Sequence, residues 1–450
     1  MKRRLLTPTR VIMLGFLVSI IVGTILLLLP FSVKEGVKVS FLDALFVATS
    51  SVCVTGLSTI NIGETFSFFG QLVLLLLIQF GGLGIVTFTT GMLLVLRKRI
   101  SLSERLLIQN AYNLDTLSGL VRVTKKIFYA TVLLEMIGAV FYMFVFVPEF
   151  GPRGIWYSIF HAVSAFCNAG IDLLGGDSFC VYRDNVIINF TTMFLIVVSG
   201  LGFPVYWDII ASIKYNRYSP RKHYIRKLSL HTKIVLSMTL FLIVTGCLLT
   251  LLFEHNNPAT LGKLDMPHKV MASLFQSITL RTAGFATINQ AYFRHVSCVV
   301  YIFWMFIGGS PAGTAGGVKT VTMALVFISM ISNIRGQKEV IVFQRKISDD
   351  YIRRAMAIVC FSFTTLAILT VALMYVQDGN FLTNFYEMTS AVATVGLSRG
   401  LTGHLNDWGK LIVTLTMYLG RIGPITLALA FNSNLKENKI SYAEGKVTIG

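Results

Sequence analysis

Four short segments, each holding one glycine at a nearly constant interval, limit the fold of this chain more than any other feature. They are residues 49–58, 163–172, 277–286 and 389–398. In each, the glycine precedes a large apolar residue: Gly56-Leu57, Gly170-Ile171, Gly284-Phe285 and Gly396-Leu397. The glycines stand 114, 114 and 112 residues apart. Fixed periods mark repeated architecture, and this one is far longer than a solenoid unit. Each copy must be a small subdomain of its own.

Composition places the subdomains in a lipid bilayer. The chain is 54% hydrophobic and only 13% charged, against about 25% charged in an average soluble domain. In the first unit, residues 11–29 are almost uninterrupted apolar sequence, about the 20 residues a helix needs to span. Lys2, Arg3, Arg4 and Arg10 ahead of it imitate a signal peptide. A small-residue cleavage site is lacking, so this segment is expected to stay as the first span. Residues 40–53 follow, with Ser40 as helix N-cap. About 13 helical residues cover roughly 20 Å of a hydrocarbon core about 30 Å thick, too little to span. Such a segment, followed by a glycine and polar sequence, is expected to re-enter. Residues 71–96 then cross and end in Arg97-Lys98-Arg99.

The order recurs. Residues 127–147 span, 155–166 re-enter and 186–213 span; then 234–253, 268–280 and 298–330; then 355–376, 381–393 and 411–431. The reading is an all-α polytopic membrane protein of four M1–P-loop–M2 repeats, with eight transmembrane helices and four re-entrant pore helices around a central pore. The repeats occupy residues 11–99, 124–214, 230–334 and 352–434, and 435–450 form a cytoplasmic tail. Most of the 39 Lys and Arg fall on the face carrying both termini and the inter-repeat loops, which the positive-inside rule makes cytoplasmic. The net charge of +18 is thereby a topology signal, and no nucleic-acid partner is expected. Asp172, Asp177, Asp184 and Asp407 fall on the outer face, where they would enrich cations.

Other chemistries find little support. Cys53, Cys167, Cys180, Cys247, Cys298 and Cys360 show no paired spacing and read as free thiols. No metal-ligand spacing or Ser/His/Asp arrangement is evident, His161 reads as a packed residue, and neither an enzyme nor a cofactor is expected. The glycines themselves point to an ion pathway. A cation leaving water needs equivalent oxygens, which rings of backbone carbonyls supply. Non-helical backbone is tolerated at membrane depth only where it is buried or lines a wet cavity. Four equivalent breaks then make four walls, and each short helix ends toward the axis with its partial negative C-terminus.

Several motifs resemble the Trk/Ktr/HKT superfamily of potassium-transporting membrane proteins, and most of all its bacterial Ktr-type membrane subunit. They are Thr55-Gly56-Leu57, Asn168-Ala169-Gly170, Arg281-Thr282-Ala283-Gly284-Phe285, Thr394-Val395-Gly396-Leu397, residues 308–320 and Gly420-Arg421-Ile422-Gly423-Pro424. The resemblance implies a K⁺-channel-like fold and K⁺ as the transported substrate, moving into the cell through the plasma membrane of a bacterium. It implies a selectivity filter built from Val54, Thr55, Gly56, Asn168, Ala169, Gly170, Thr282, Ala283, Gly284, Thr394, Val395 and Gly396, which would hold K⁺. In that family glycine at all four positions favours K⁺, whereas serine at the first favours Na⁺. A homodimer resting on a cytosolic ring of nucleotide-binding regulatory (RCK-type) subunits is also implied, with Na⁺ activation left open. The alternative is a Na⁺-coupled or Na⁺-permeable secondary transporter, to which broken helices are also suited.

Two features inside the second helices complete the reading. Residues 307–320 interrupt an apolar segment with five glycines and Pro311, a composition that cannot continue a straight helix. They should form an intramembrane loop. A phosphate-binding loop does not fit, because Gly317-Val318-Lys319-Thr320 misses Gly-Lys-Ser/Thr and no strand precedes it. By resemblance the loop is a gate beneath the filter, comprising Gly308, Gly309, Ser310, Gly313, Thr314, Gly316, Gly317 and Lys319, with Arg421 beside it. Arg421 is a charge at mid-membrane, functional unless paired with Glu135 or bonded to loop carbonyls.

Overall fold

The computed structural model describes residues 8–84, 87, 120–175, 178–217 and 227–423. The basic run 97–99, Asp177, Pro424, the end of the fourth repeat and the tail 435–450 lie outside the described residues. The chain is mostly helical and polytopic in character. The first repeat supplies α1 (Pro8–Leu27), α2 (Phe41–Cys53) and α3 (Phe68–Leu83). The second supplies α4 (Leu120–Phe150), α5 (Arg153–Cys167), α6 (Val186–Leu201) and α7 (Phe203–Arg217). From the third come α8 (Leu230–Glu254), α9 (Met266–Thr279), α10 (His295–Phe306) and α11 (Thr320–Ile334), and from the fourth α12 (Asp349–Val376), α13 (Phe381–Ala393) and α14 (Asp407–Ile422). Between the last two repeats lies a two-stranded hairpin, β1 (Ile341–Val342) and β2 (Arg345–Lys346), with Ile341 opposite Lys346.

Local sequence explains where these helices begin. Ser40 Oγ accepts the Asp43 N–H at 3.1 Å to start α2, and Asn406 Oδ1 accepts the Gly409 N–H at 2.7 Å to start α14. Ser67, Asn185 and Ser229 cap α3, α6 and α8 in the same way. A short polar side chain at this position satisfies a donor that the first helical turn leaves open.

Among the described residues, α1, α4, α8 and α12 are long and apolar enough to cross a bilayer individually. Exposed apolar side chains such as Leu133, Phe144, Leu240, Leu252 and Val371 cover their outer faces, as a lipid-facing surface requires. The second helices are different. Residues 186–213, expected as one span, form α6 and α7, bent by 90° at Gly202. Gly202 has φ +87°, and a Cβ there would strike the Pro311 carbonyl. The bend therefore exists where backbone of the third repeat presses against the second. The third repeat's second helix is likewise interrupted, between α10 and α11, by the expected loop.

Neighbouring repeats share their cores. One apolar cluster joins Phe46, Val52 and Leu74 to Phe160 of the second repeat and to Met388 and Val413 of the fourth. A second cluster joins Phe166 and Met193 to Phe275 and Phe285, and a third joins Tyr301 to Tyr386 and Leu397. The four units thus pack around a common centre, on which α2, α5, α9 and α13 converge.

Candidate functional site

Each short helix delivers its C-terminus to this centre. Val54, Asn168 and Thr394 are the left-handed C-caps of α2, α5 and α13, with φ of 56°, 59° and 52°. Thr282, at φ 64°, holds the matching place after α9. Such conformations are uncommon outside glycine and are true outliers for a β-branched side chain. Two residues later come Gly56, Gly170, Gly284 and Gly396, at φ 98°, 64°, 82° and 95°. Positive φ on alternate residues turns successive carbonyls to one side, where an ordinary strand would alternate them.

The carbonyls form a closed ring. A Cβ on Gly56 would lie 2.5 Å from the Ala169 oxygen, one on Gly170 2.6 Å from that of Ala283, and one on Gly284 2.8 Å from that of Val395. A Cβ on Gly396 would strike the Thr55 oxygen and complete the circuit. The sense is the same at all four steps, so the repeats stand in order around one axis. Here glycine is required by close approach as well as by φ. Buried Thr55 Oγ1, Asn168 Oδ1 and Thr394 Oγ1 have no hydrogen-bond partner among the described residues. Oxygen ligands, carbonyl and hydroxyl, are what an alkali cation takes in place of water.

Hydroxyls of the short helices hold the ring from behind, a feature not anticipated from the sequence. Ser50 Oγ accepts the Gly56 N–H and Ser390 Oγ the Gly396 N–H, each at 3.0 Å. Ser164 Oγ accepts the Ile171 N–H at 3.1 Å, and Thr279 Oγ1 donates to the Phe285 carbonyl at 2.5 Å. The signal was present: Ser50, Ser164 and Ser390 each stand six residues before a glycine.

Above the ring, a cavity of about 400 Å³ is lined by all four glycines and by Asp172, Gln290 and Thr402 among others. Burial pushes the Asp172 carboxyl up to about 7, against the lowering effect of the Leu174 and Gly175 N–H groups and the Ser178 hydroxyl.

Below the ring lies the interrupting loop, and it is docked there. Asn168 Nδ2 donates to Thr314 Oγ1 at 2.9 Å, and the Gly316 N–H donates to Thr282 Oγ1 at 3.2 Å. A Cβ on Gly316 would strike Thr394 Oγ1, and one on Gly308 the Gly316 carbonyl. Ser310 N–H bonds to the Gly200 carbonyl at 2.9 Å, beside the bend in the second repeat, and Thr320 N–H to that of Gly309 at 3.0 Å. Gly313 packs toward the Ser199 carbonyl, and Gly317, at φ +66°, against Gly308. Lys319 Nζ folds back on the Ala315 carbonyl at 2.6 Å.

Arg421 closes the arrangement. Its Nη1 donates to the Thr314 carbonyl at 2.9 Å and its Nη2 to the Gly81 carbonyl. Of the two partnerships open in the sequence, loop carbonyls are the one observed. Glu135 instead accepts from Gln79 Nε2 at 3.2 Å, next to Cys167. The structure thus gathers the twelve ring residues and the loop residues into one column. Among the described residues, no cluster of three His, Cys, Asp or Glu side chains could hold a metal ion.

Comparison with known proteins follows the same lines. Residues 6–442 match the family TrkH, described as cation transport protein. The Ktr system potassium uptake protein B of Bacillus subtilis (strain 168) is 37% identical over 445 residues, covering 99% of this chain and 97% of its own. The potassium/sodium uptake protein NtpJ of Enterococcus hirae is 37% identical over 458 residues, covering 100% and 98%. The crystal structure of the potassium transporter TrkH from Vibrio parahaemolyticus shares the fold, with TM-score 0.75 over 95% of this chain and 86% of that one, at 20% identity.

Proposed function

Because the chain belongs to the TrkH family of cation transport proteins, we propose that it is the K⁺-translocating membrane subunit of a potassium uptake system. The observation that carries this reading is the ring in which four carbonyls, of Thr55, Ala169, Ala283 and Val395, each adjoin the preceding repeat's glycine. K⁺ would exchange its hydration shell for these oxygens and move down its electrochemical gradient without covalent chemistry. Potassium uptake also appears in the names of the relatives above, and glycine at all four positions supports K⁺ over Na⁺ as the preferred ion.

The loop at 307–320 acts as the gate. Its bonds to Asn168 and Thr282, together with the Arg421 clamp, support a closed state in which the path beneath the filter is blocked. The guanidinium charge opposes a cation leaving the filter. Opening requires the loop to leave Arg421 and the filter base. The chain works as a homodimer in the plasma membrane with both termini cytoplasmic, and a separate nucleotide-binding subunit ring drives the gate. The four repeats keep the boundaries 11–99, 124–214, 230–334 and 352–434.

The test is cation flux into liposomes holding the purified full chain. K⁺ should dissipate an imposed gradient faster than Na⁺, in proportion to protein added. Equal rates for the two ions, or a flux no greater than that of protein-free liposomes, would refute the assignment.

A further inference from the structure

Consecutive residues of the fourth short helix grip two of the strands that leave the ring. Glu387, fully buried, accepts from Ser398 Oγ at 2.6 Å and from Thr402 Oγ1. Ser398 lies two residues beyond Gly396, so the carboxylate holds the exit strand of its own repeat. Tyr386, 1% exposed, donates to Gln290 Oε1 at 3.0 Å, six residues beyond Gly284. Gln290 is in turn paired reciprocally with Gln276 of α9, at 2.8 and 3.1 Å. One turn of α13 therefore ties the exits of the third and fourth repeats to each other.

The same place is used elsewhere in the ring. His161 stands nine residues before Gly170, as Glu387 stands nine before Gly396, and its Nε2 accepts the Leu173 N–H at 3.3 Å. Gln276 stands eight before Gly284. The fourth repeat alone puts a carboxylate there. A buried carboxylate is costly without partners. Among the described residues, Glu387 has no Lys, Arg or His nitrogen within ion-pair distance, only hydroxyl donors. Two hydrogen bonds from short hydroxyl side chains fix position more narrowly than apolar packing does. The ring in front is tight enough to register a shift, because a Cβ added at Gly284 would lie only 2.8 Å from the Val395 carbonyl oxygen.

We propose that Tyr386 and Glu387 are positioning residues that hold the exit side of the ring in register and so set the discrimination of K⁺ from Na⁺. This rests on the filter reading above, and a Gly396→Ser variant tests that reading separately. The measurement is the ratio of K⁺ to Na⁺ flux in liposomes carrying the full chain. Tyr386→Phe, which removes one oxygen, and Glu387→Val should each lower the ratio about tenfold. Glu387→Gln, which keeps an acceptor and the volume, should stay within about twofold of the parent. Thr402→Val should lower the ratio as well, and combining it with Glu387→Val should cost less than the product of the two effects, since they share a bond. If Glu387→Val fails to reach the bilayer, Tyr386→Phe and Thr402→Val decide. Equal losses of both fluxes at an unchanged ratio would overturn the proposal, while a lowered ratio in Gly396→Ser would leave the filter standing. An unchanged ratio in Gly396→Ser would overturn the filter reading and this inference with it.

Discussion

Asp172 sits two residues beyond Gly170 in the outer cavity, and its carboxyl is held near 7 by burial. A raised carboxyl is neutral below that value and charged above it, so the mouth gains negative charge as pH rises through 7. Apparent affinity for K⁺ should fall about twofold between pH 8 and pH 6. Asp172→Asn should remove that dependence, and an unchanged slope in the variant would show that another group is responsible. At this scale the sequence was most legible where chemistry forces one residue type. The four glycines stood out by their spacing and Arg421 by its charge within an apolar segment, and the structure adds that a Cβ at each glycine would strike a neighbouring repeat. The hydroxyls behind the ring, and the partnership of Tyr386 with Gln290, did not stand out. Serine, threonine and glutamine are ordinary in a short amphipathic helix, and apart from the six-residue offset of Ser50, Ser164 and Ser390 from a glycine, three-dimensional neighbours are what distinguish a brace from a surface residue.

On the proposed reading, the interrupting loop is the element on which regulation turns. Deleting residues 313–316 removes the contacts to Asn168 and Thr282 and the Arg421 clamp at Thr314, and should raise K⁺ flux about tenfold or more. Arg421→Ala should raise it less, by about threefold, because the contacts to the filter base survive. Flux no greater than the parent's in both variants, once each is shown to be in the membrane, would remove the gate assignment. Five glycines let a loop move at little steric cost, and the structure adds a second reason for them. Gly308 and Gly316 have no room for a Cβ, so they also let the loop seat tightly. The expected single span over 186–213 passed over a cue in the sequence, because Pro204, two residues past Gly202, breaks or kinks a helix. What the sequence does not reveal is that the bend seats the Pro311 carbonyl, more than a hundred residues away. Gly202→Ala should therefore disturb the loop as well as its own helix, and be read out as raised basal K⁺ flux.

For the whole molecule, the glycine spacings of 114, 114 and 112 residues pointed to four units, and shared cores between neighbours explain why such units would close around an axis. Helix count was harder to read, because the second helices are short, bent or interrupted where they meet the loop, and hydropathy responds to composition whether or not a helix continues. Regulation is the property that a single chain of this design should lack. Expressed alone, it should show K⁺ flux that added nucleotide changes by less than about twofold, and full nucleotide activation of the isolated chain would contradict supply of the sensor in trans. The most direct test of the central claim is the K⁺ to Na⁺ permeability ratio of Gly56→Ser beside that of the parent chain, both in liposomes. A side chain at that position meets the Ala169 carbonyl at 2.5 Å and deforms the ring, so the ratio should fall about tenfold. The same ratio in parent and variant would mean that these four glycines do not select the ion.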